Sequence, residues 1–170
     1  MSAYEFWSIV ILAITAVILA GTAVIFVVQT RIALTVFQAD HDRRRREATI
    51  HYMNQIRVRY RETNHEIIRR LGPGILDDNK ISEIVQDEQL LDRVKDMLGL
   101  FEHLAVGANT DVFEVEMLSR MSGGYLKAVY RRFERYIEQR RFETNSPTLY
   151  IEYERFVNDL ASLTNRAGAR

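Results

Sequence analysis

Two kinds of side-chain spacing in this sequence could do chemistry: arginine a few residues before histidine, and glutamate three residues before histidine. Arg46 precedes His51, and Arg59 precedes His65, which also follows Glu62. A histidine beside a guanidinium could act as a general acid or base next to a cation that stabilises a phosphorane-like charge. A glutamate and a histidine at this spacing share one helix face, as they do in bundles that hold two metal ions.

Composition weakens both signals. Residues 43–70 contain nine arginines and two histidines, so such pairs arise by chance. The arginine–histidine strings resemble the ribonuclease motif of the helical HEPN superfamily, and this resemblance implies RNA cleavage as one alternative. A di-iron site needs a second Glu-x-x-His step, which the sequence lacks, and it also lacks phosphate-binding glycine loops and zinc helices. We therefore assign no catalytic, cofactor-binding or metal-ligating residue and favour a non-enzyme.

The composition of the chain is neutral overall and free of cysteine. Its 170 residues include 23 Lys and Arg against 23 Asp and Glu, and no Cys. The length allows one modest domain besides a hydrophobic segment. Disulfides, thiolate catalysis and cysteine-ligated metal sites are excluded.

An uncharged apolar run occupies residues 6–28, inside an N-terminal segment that we place at residues 1–30. A helix needs roughly 20 apolar residues to cross a hydrocarbon core. No basic residue precedes the run, and it exceeds the apolar part of a cleaved signal peptide. The sequence therefore predicts one uncleaved transmembrane helix, with the lipid bilayer as a partner.

The charges that flank this helix predict its orientation. Glu5 is the only charged residue before it, whereas Arg31, Arg43, Arg44, Arg45 and Arg46 follow it. Basic flanks stay on the cytoplasmic side of a membrane. We therefore expect the N-terminus outside, the rest of the chain in the cytoplasm, and a topogenic, membrane-proximal role for these five arginines.

Four alanines form a stripe of small side chains within the apolar run. They are Ala13, Ala16, Ala20 and Ala23, at spacings of three and four residues. Small side chains let a second membrane helix approach closely. The stripe predicts a helix–helix interface, through which the chain would form a homo-oligomer or contact another membrane-protein subunit.

The rest of the chain shows helical periodicity and no alternating β pattern. We predict an all-α protein with a basic helical stalk over residues 31–72, an antiparallel cytoplasmic helical bundle over 73–165 and a tail over 166–170. The first firm stop lies at residues 71–74, and a second amphipathic segment runs on to a turn at residues 107–110.

The later breaks are less sharply marked. Asp111 is expected to open a third segment, which Gly123 and Gly124 would kink or divide. Pro147 is expected in the first turn of the last helix. The predicted apolar stripes consist of Ile50, Met53, Ile56, Tyr60, Ile67, Leu71, Leu90, Leu91, Val94, Met97, Leu98, Phe101, Leu104, Ala105, Val112, Val115, Leu118, Leu126, Val129, Tyr130, Phe133, Ile137, Leu149, Tyr153, Phe156, Val157, Leu160 and Leu163.

Charge is zoned along the chain. Residues 31–70 carry a net charge of +5, residues 71–118 carry −8, and residues 119–170 carry +4. Neutralisation within the bundle accounts for this zoning without an external partner. Because the domain is not strongly basic, the composition argues against nucleic acid as a partner.

Several runs resemble a known family. They are an arginine run followed by Ala48 and Thr49, then LGLFEHLAVG at residues 98–107, YRRFERYI at 130–137 and YIEYERF at 150–156. Over residues 43–160 the chain resembles a bacterial family of membrane-anchored helical proteins known as domain of unknown function 4760. The resemblance implies a bacterial inner-membrane protein with a cytoplasmic helical domain, and it carries over no functional residue and no reaction.

Two functional hypotheses remain open at this point. The first is a non-enzymatic, single-pass scaffold or interaction protein that associates with itself or serves as an accessory subunit of a membrane complex. The second is a membrane-associated effector in antiphage defence, acting as a pore or as a HEPN-like ribonuclease. The first is favoured by the alanine stripe, the long stalk and the lack of a convergent catalytic set.

Overall fold

The computed structural model describes the backbone of residues 3–168 and the side chains of residues 4, 7, 8, 12 and 14–162. Within these residues the fold is all-helical, as predicted, with no strand. The five helices are α1 (Ala3–Leu71), α2 (Asp78–Gln86), α3 (Glu88–Asn109), α4 (Val115–Glu143) and α5 (Ile151–Gly168).

The chain divides into two compact units, Met1–Arg43 and Arg44–Arg170. Residues of α1 belong to both. Its last part was assigned to the stalk by sequence, yet it contributes Met53, Ile56, Tyr60, Ile67 and Leu71 to the hydrophobic core of the second unit. This part of the predicted stalk therefore belongs to the helical domain.

The first unit is a helical segment with an apolar surface. Among the described residues, α1 from Ile14 onward is long and apolar enough to cross a membrane; its most apolar window has a mean hydropathy of 2.0, and none of that window is buried. Threonine hydroxyls of this segment form hydrogen bonds within the helix. The hydroxyl of Thr22 donates to the carbonyl oxygen of Ile18, and that of Thr30 donates to the carbonyl oxygen of Phe26, each at 2.8 Å. Such bonding suits a helix without access to water.

The second unit is built around aromatic rings from four helical segments. The Phe101 ring on α3 lies 5.4 Å from the rings of Tyr60 on α1 and Tyr153 on α5, and 6.2 Å from Tyr125 on α4, between ring centroids. Aromatic pairs at these distances add stabilisation beyond the burial of their surface. The apolar stripes of the four segments therefore meet in one core. Most of the predicted stripe positions are buried, but Ile50 and Val112 are exposed.

The break after α1 is where the sequence predicts it. Gly72 and Gly74 flank Pro73 with φ values of +75° and +99°. These left-handed conformations favour glycine, which has no Cβ to clash. The connection is held from α4, because Arg132 Nη2 donates to the Gly72 carbonyl at 2.6 Å and the Leu76 amide donates to the Arg132 carbonyl.

The predicted second segment is two helices rather than one. Asp87 ends α2 and begins α3, and its carboxylate accepts a hydrogen bond from the Leu90 amide at 3.0 Å. Aspartate at this position satisfies an amide that has no partner inside the helix. No glycine or proline marks this break.

Three other boundaries also differ from the predictions. Asp111 has φ +60° and lies in a turn, so α4 begins at Val115. Gly123 does not divide α4, which runs unbroken; a Cβ there would lie 3.9 Å from Leu160 on α5. Pro147 is not in the first helical turn, because residues 147–150 form turns and α5 begins at Ile151.

Candidate functional site

The histidines that could do chemistry are on the surface. His51 and His65 are both exposed. Arg59, which precedes His65, has Nη2 3.3 Å from Asp96 Oδ2 on α3. Glu62 and His65 line an open, shallow concavity with Ile68 and Arg69. Among the side chains that are described, no three metal-ligating groups come together.

Two residues of α1 bind the connection between α3 and α4 through hydrogen bonds. Arg45 Nη2 lies 3.1 Å from Asp111 Oδ1 and 3.1 Å from the Phe113 carbonyl oxygen. The buried hydroxyl of Thr49 accepts a hydrogen bond from the Glu114 amide at 2.9 Å and donates to the Arg45 carbonyl. This hydroxyl caps α4, which has no side-chain cap of its own. Arg45 was expected to be topogenic, and the structure shows that it holds this connection.

Close packing also holds the connection between α3 and α4. A Cβ on Gly107 would lie 2.3 Å from Cε2 of Phe113, so only glycine fits there without moving the ring. On its other side the Phe113 ring lies 5.1 Å from that of Tyr52, between centroids. Gly107 was expected to mark a turn, but its role is to admit an aromatic side chain against α3.

The start of α5 is capped by a side chain from α3. Glu102 accepts hydrogen bonds from the amides of Glu152 at 3.2 Å and Tyr153 at 2.8 Å. A carboxylate here satisfies two amides that lack helical partners and interacts favourably with the positive end of the helix dipole. Glu102 is about 50 residues from these amides in sequence, so no local pattern identifies it as their acceptor.

Removal of this cap gives the first prediction. We expect Glu102→Ala to lower the free energy of unfolding by about 1.5–3 kcal/mol, because hydrogen bonds to a charged group are lost and two amides are left unpaired. Chemical denaturation followed by circular dichroism measures the change. The exposed Glu138 on α4 is the matched control, and Glu138→Ala should change stability by less than about 0.5 kcal/mol. Equal losses in both variants would contradict the capping role.

A charged network joins α1 to α3. Glu66 pairs with Arg93 and, at 3.1 Å, with Arg70, whose Nη1 lies 2.7 Å from Asp87 Oδ2. Hydrogen bonds from the Leu90 amide and from Arg70 lower the pKa of Asp87, with the amide as the larger cause. Part of the basic and acidic zoning is thus neutralised within the second unit, as the sequence predicted.

Burial shifts the ionisation of several groups in this core. It raises the pKa of Tyr136 to about 12 and raises those of Tyr125 and Tyr153 further. The Tyr153 hydroxyl donates to the Leu126 carbonyl at 2.7 Å. Burial also lowers the pKa of the Arg132 guanidinium. The tyrosines are held neutral, which suits packing rather than proton transfer at ordinary pH.

The surface of the first unit is the remaining candidate. Ala16, Ala20 and Ala23 are exposed, whereas the side chain of Ala13 lies outside the described residues. The larger apolar side chains from Ile14 to Phe37 are exposed around the helix as well. Arg31, Arg43, Arg44 and Arg46 are also exposed. A wholly exposed apolar helix is stable in contact with lipid or with other helices.

Comparison with models of known protein families gives a match over most of the chain. The family model described as "Domain of unknown function (DUF4760)" matches residues 10–160. No curated protein and no solved structure matches the chain.

Proposed function

The chain belongs to the family described as domain of unknown function 4760, and we propose that it is a membrane-anchored helical interaction protein. In this proposal α1 crosses a bacterial inner membrane once and holds the second unit at the cytoplasmic face. Copies of the chain associate with each other, and the assembly acts as a scaffold or as an accessory part of a membrane complex.

The observation that carries this proposal is the contrast between the two units. The second unit buries its apolar side chains in a core of its own, whereas the first exposes Ile18, Ile25 and Phe26 to more than half of their surface. In water such an apolar surface would drive aggregation. A bilayer solvates it, and the fourteen Leu, Ile, Val and Phe side chains of residues 6–28 favour insertion.

The polar side chains of the second unit support an interaction role rather than a reaction. Glu102 caps α5, Arg45 binds the connection between α3 and α4, and Glu66 pairs with two arginines. These groups, which could serve as acids, bases or charge stabilisers, are committed to holding the fold. In this proposal the second unit is a rigid domain that presents its surface to binding partners. The antiparallel bundle expected from the sequence suits that role.

Cysteine labelling in whole cells tests the anchor and its orientation. The chain has no cysteine, so Ser2→Cys and Ser82→Cys each give one reactive thiol, the second at an exposed position on α2. A membrane-impermeant maleimide should label Ser2→Cys in intact cells and Ser82→Cys only after permeabilisation, since the arginine-rich flank stays inside. Labelling of Ser82→Cys in intact cells would reverse the proposed orientation, and release of the protein by alkaline carbonate would refute the anchor.

A further inference from the structure

The first unit contains a heptad repeat. Ile11, Ile18, Ile25 and Ile32 recur at every seventh position, and Ala39 continues the series. The positions three residues later are Ile14, Gly21, Val28 and Thr35. Alternating steps of three and four residues place these side chains along one stripe, which twists slowly around a straight helix. Two helices that supercoil to the left keep such a stripe in continuous contact.

The structure leaves this stripe uncovered. Ile14, Ile18, Ile25, Val28 and Ile32 are between 50% and 61% exposed, and all lie within α1. The side chain of Ile11 lies outside the described residues. Parallel coiled coils commonly have β-branched residues at the first heptad position. The stripe thus has the composition of a seam between copies of this helix.

Gly21 is a second and independent observation. Glycine inside a helix costs roughly 0.5–1 kcal/mol relative to alanine. A Cβ on Gly21 would meet nothing within 4 Å, so packing within the chain does not require glycine there. Gly21 occupies a seam position between Ile18 and Ile25. Glycine at such a position lets two membrane helices approach closely.

We propose that two copies of this chain pair in parallel along the stripe formed by Ile18, Gly21, Ile25, Val28 and Ile32, which we call the isoleucine seam. A common membrane orientation makes the pairing parallel. This proposal rests on the proposed self-association and assigns its contact face. At 100° per residue the alanine stripe lies roughly 140–180° away around the helix. The alanines then face lipid or a further subunit, and the expected interface lies on the isoleucine seam instead.

Oxidative crosslinking of single cysteines in membranes tests the seam. The full-length, cysteine-free chain gives a clean background. Cysteines at Ile25, Val28 and Ile32 should give a crosslinked dimer several-fold more efficiently than cysteines at Ala20, Ala23 and Val27, which lie on the far side. A maximum at the alanine positions would overturn the seam while leaving self-association intact. Uniformly weak crosslinking would also overturn it, and co-capture of two differently tagged copies then reports whether self-association fails as well.

Paired substitutions give a second readout with a matched control. Ile18→Ala with Ile25→Ala should lower the crosslinking of Ile32→Cys several-fold, because both contacts lie on the seam. Leu19→Ala with Phe26→Ala removes larger exposed side chains from a neighbouring face and should leave the crosslinked fraction unchanged. Equal effects of the two pairs would contradict the proposed seam.

Discussion

Ala16→Asp combined with Ala20→Asp is expected to abolish membrane integration of the full-length protein. Each aspartate near the centre of a membrane helix raises the insertion free energy by about 2.5–3.5 kcal/mol, so the pair costs about 5–7 kcal/mol. The fourteen Leu, Ile, Val and Phe side chains of residues 6–28 favour insertion by roughly 4–8 kcal/mol in total. The two effects are of similar size, so the substitutions offset most of the drive for insertion.

Fractionation of cells before and after alkaline carbonate extraction measures this change. The matched control is Ala16→Leu with Ala20→Leu, which should stay in the membrane pellet because leucine favours insertion. The aspartate variant should be lost from the pellet by release or degradation. Its retention in the carbonate-resistant pellet would show that the apolar run is not the anchor.

The second large effect is expected in the aromatic core. Phe101→Ala should lower the free energy of unfolding by about 3–5 kcal/mol, because a fully buried ring is removed and the cavity collapses only in part. The ring contacts Tyr60 on α1 and Tyr153 on α5, so its loss weakens several helices together. Thermal and denaturant unfolding of the detergent-solubilised chain, followed by circular dichroism, measures the loss.

Phe142 provides the control of the same residue type. It lies near the end of α4 with 89% of its surface exposed, whereas Phe101 is 0% exposed. Phe142→Ala should change the free energy of unfolding by less than about 0.5 kcal/mol. If the two alanine variants were destabilised equally, the second unit would not have the core described above.

The helical class and the core of the second unit were predictable because they depend on local periodicity. Leu90, Val94 and Phe101 recur at helical steps, and all three are buried. The stop after Leu71 was predictable for a similar reason, since Gly72 and Gly74 adopt conformations that other residues avoid. In both cases a few neighbouring residues determine the outcome.

Helix starts were predicted poorly where the cap comes from a distant residue. The amide of Glu114 at the start of α4 is capped by Thr49, and α5 is capped by Glu102. Neither acceptor is close in sequence to the amide that it satisfies, so no local pattern reveals it. Asp87 is different, because it is an ordinary capping residue that stands inside an amphipathic run and was overlooked there.

The candidate interface was predicted only in outline. The sequence identified an apolar run and small side chains at Ala16, Ala20 and Ala23, and these side chains are exposed. An alanine stripe and an isoleucine stripe can lie on different faces of one helix, and alanine spacing alone does not decide which face meets a partner. The heptad series of isoleucines and the cost of Gly21 are what favour the isoleucine seam.

The mass of the full-length protein, extracted together with its native lipids and measured by native mass spectrometry, tests the central claim most directly. The claim is that this chain is anchored by α1 and associates in the membrane. The account predicts a particle that contains two copies, or two copies with a further subunit. A particle that contains one copy and no other protein, under extraction gentle enough to keep bound lipid, would contradict it.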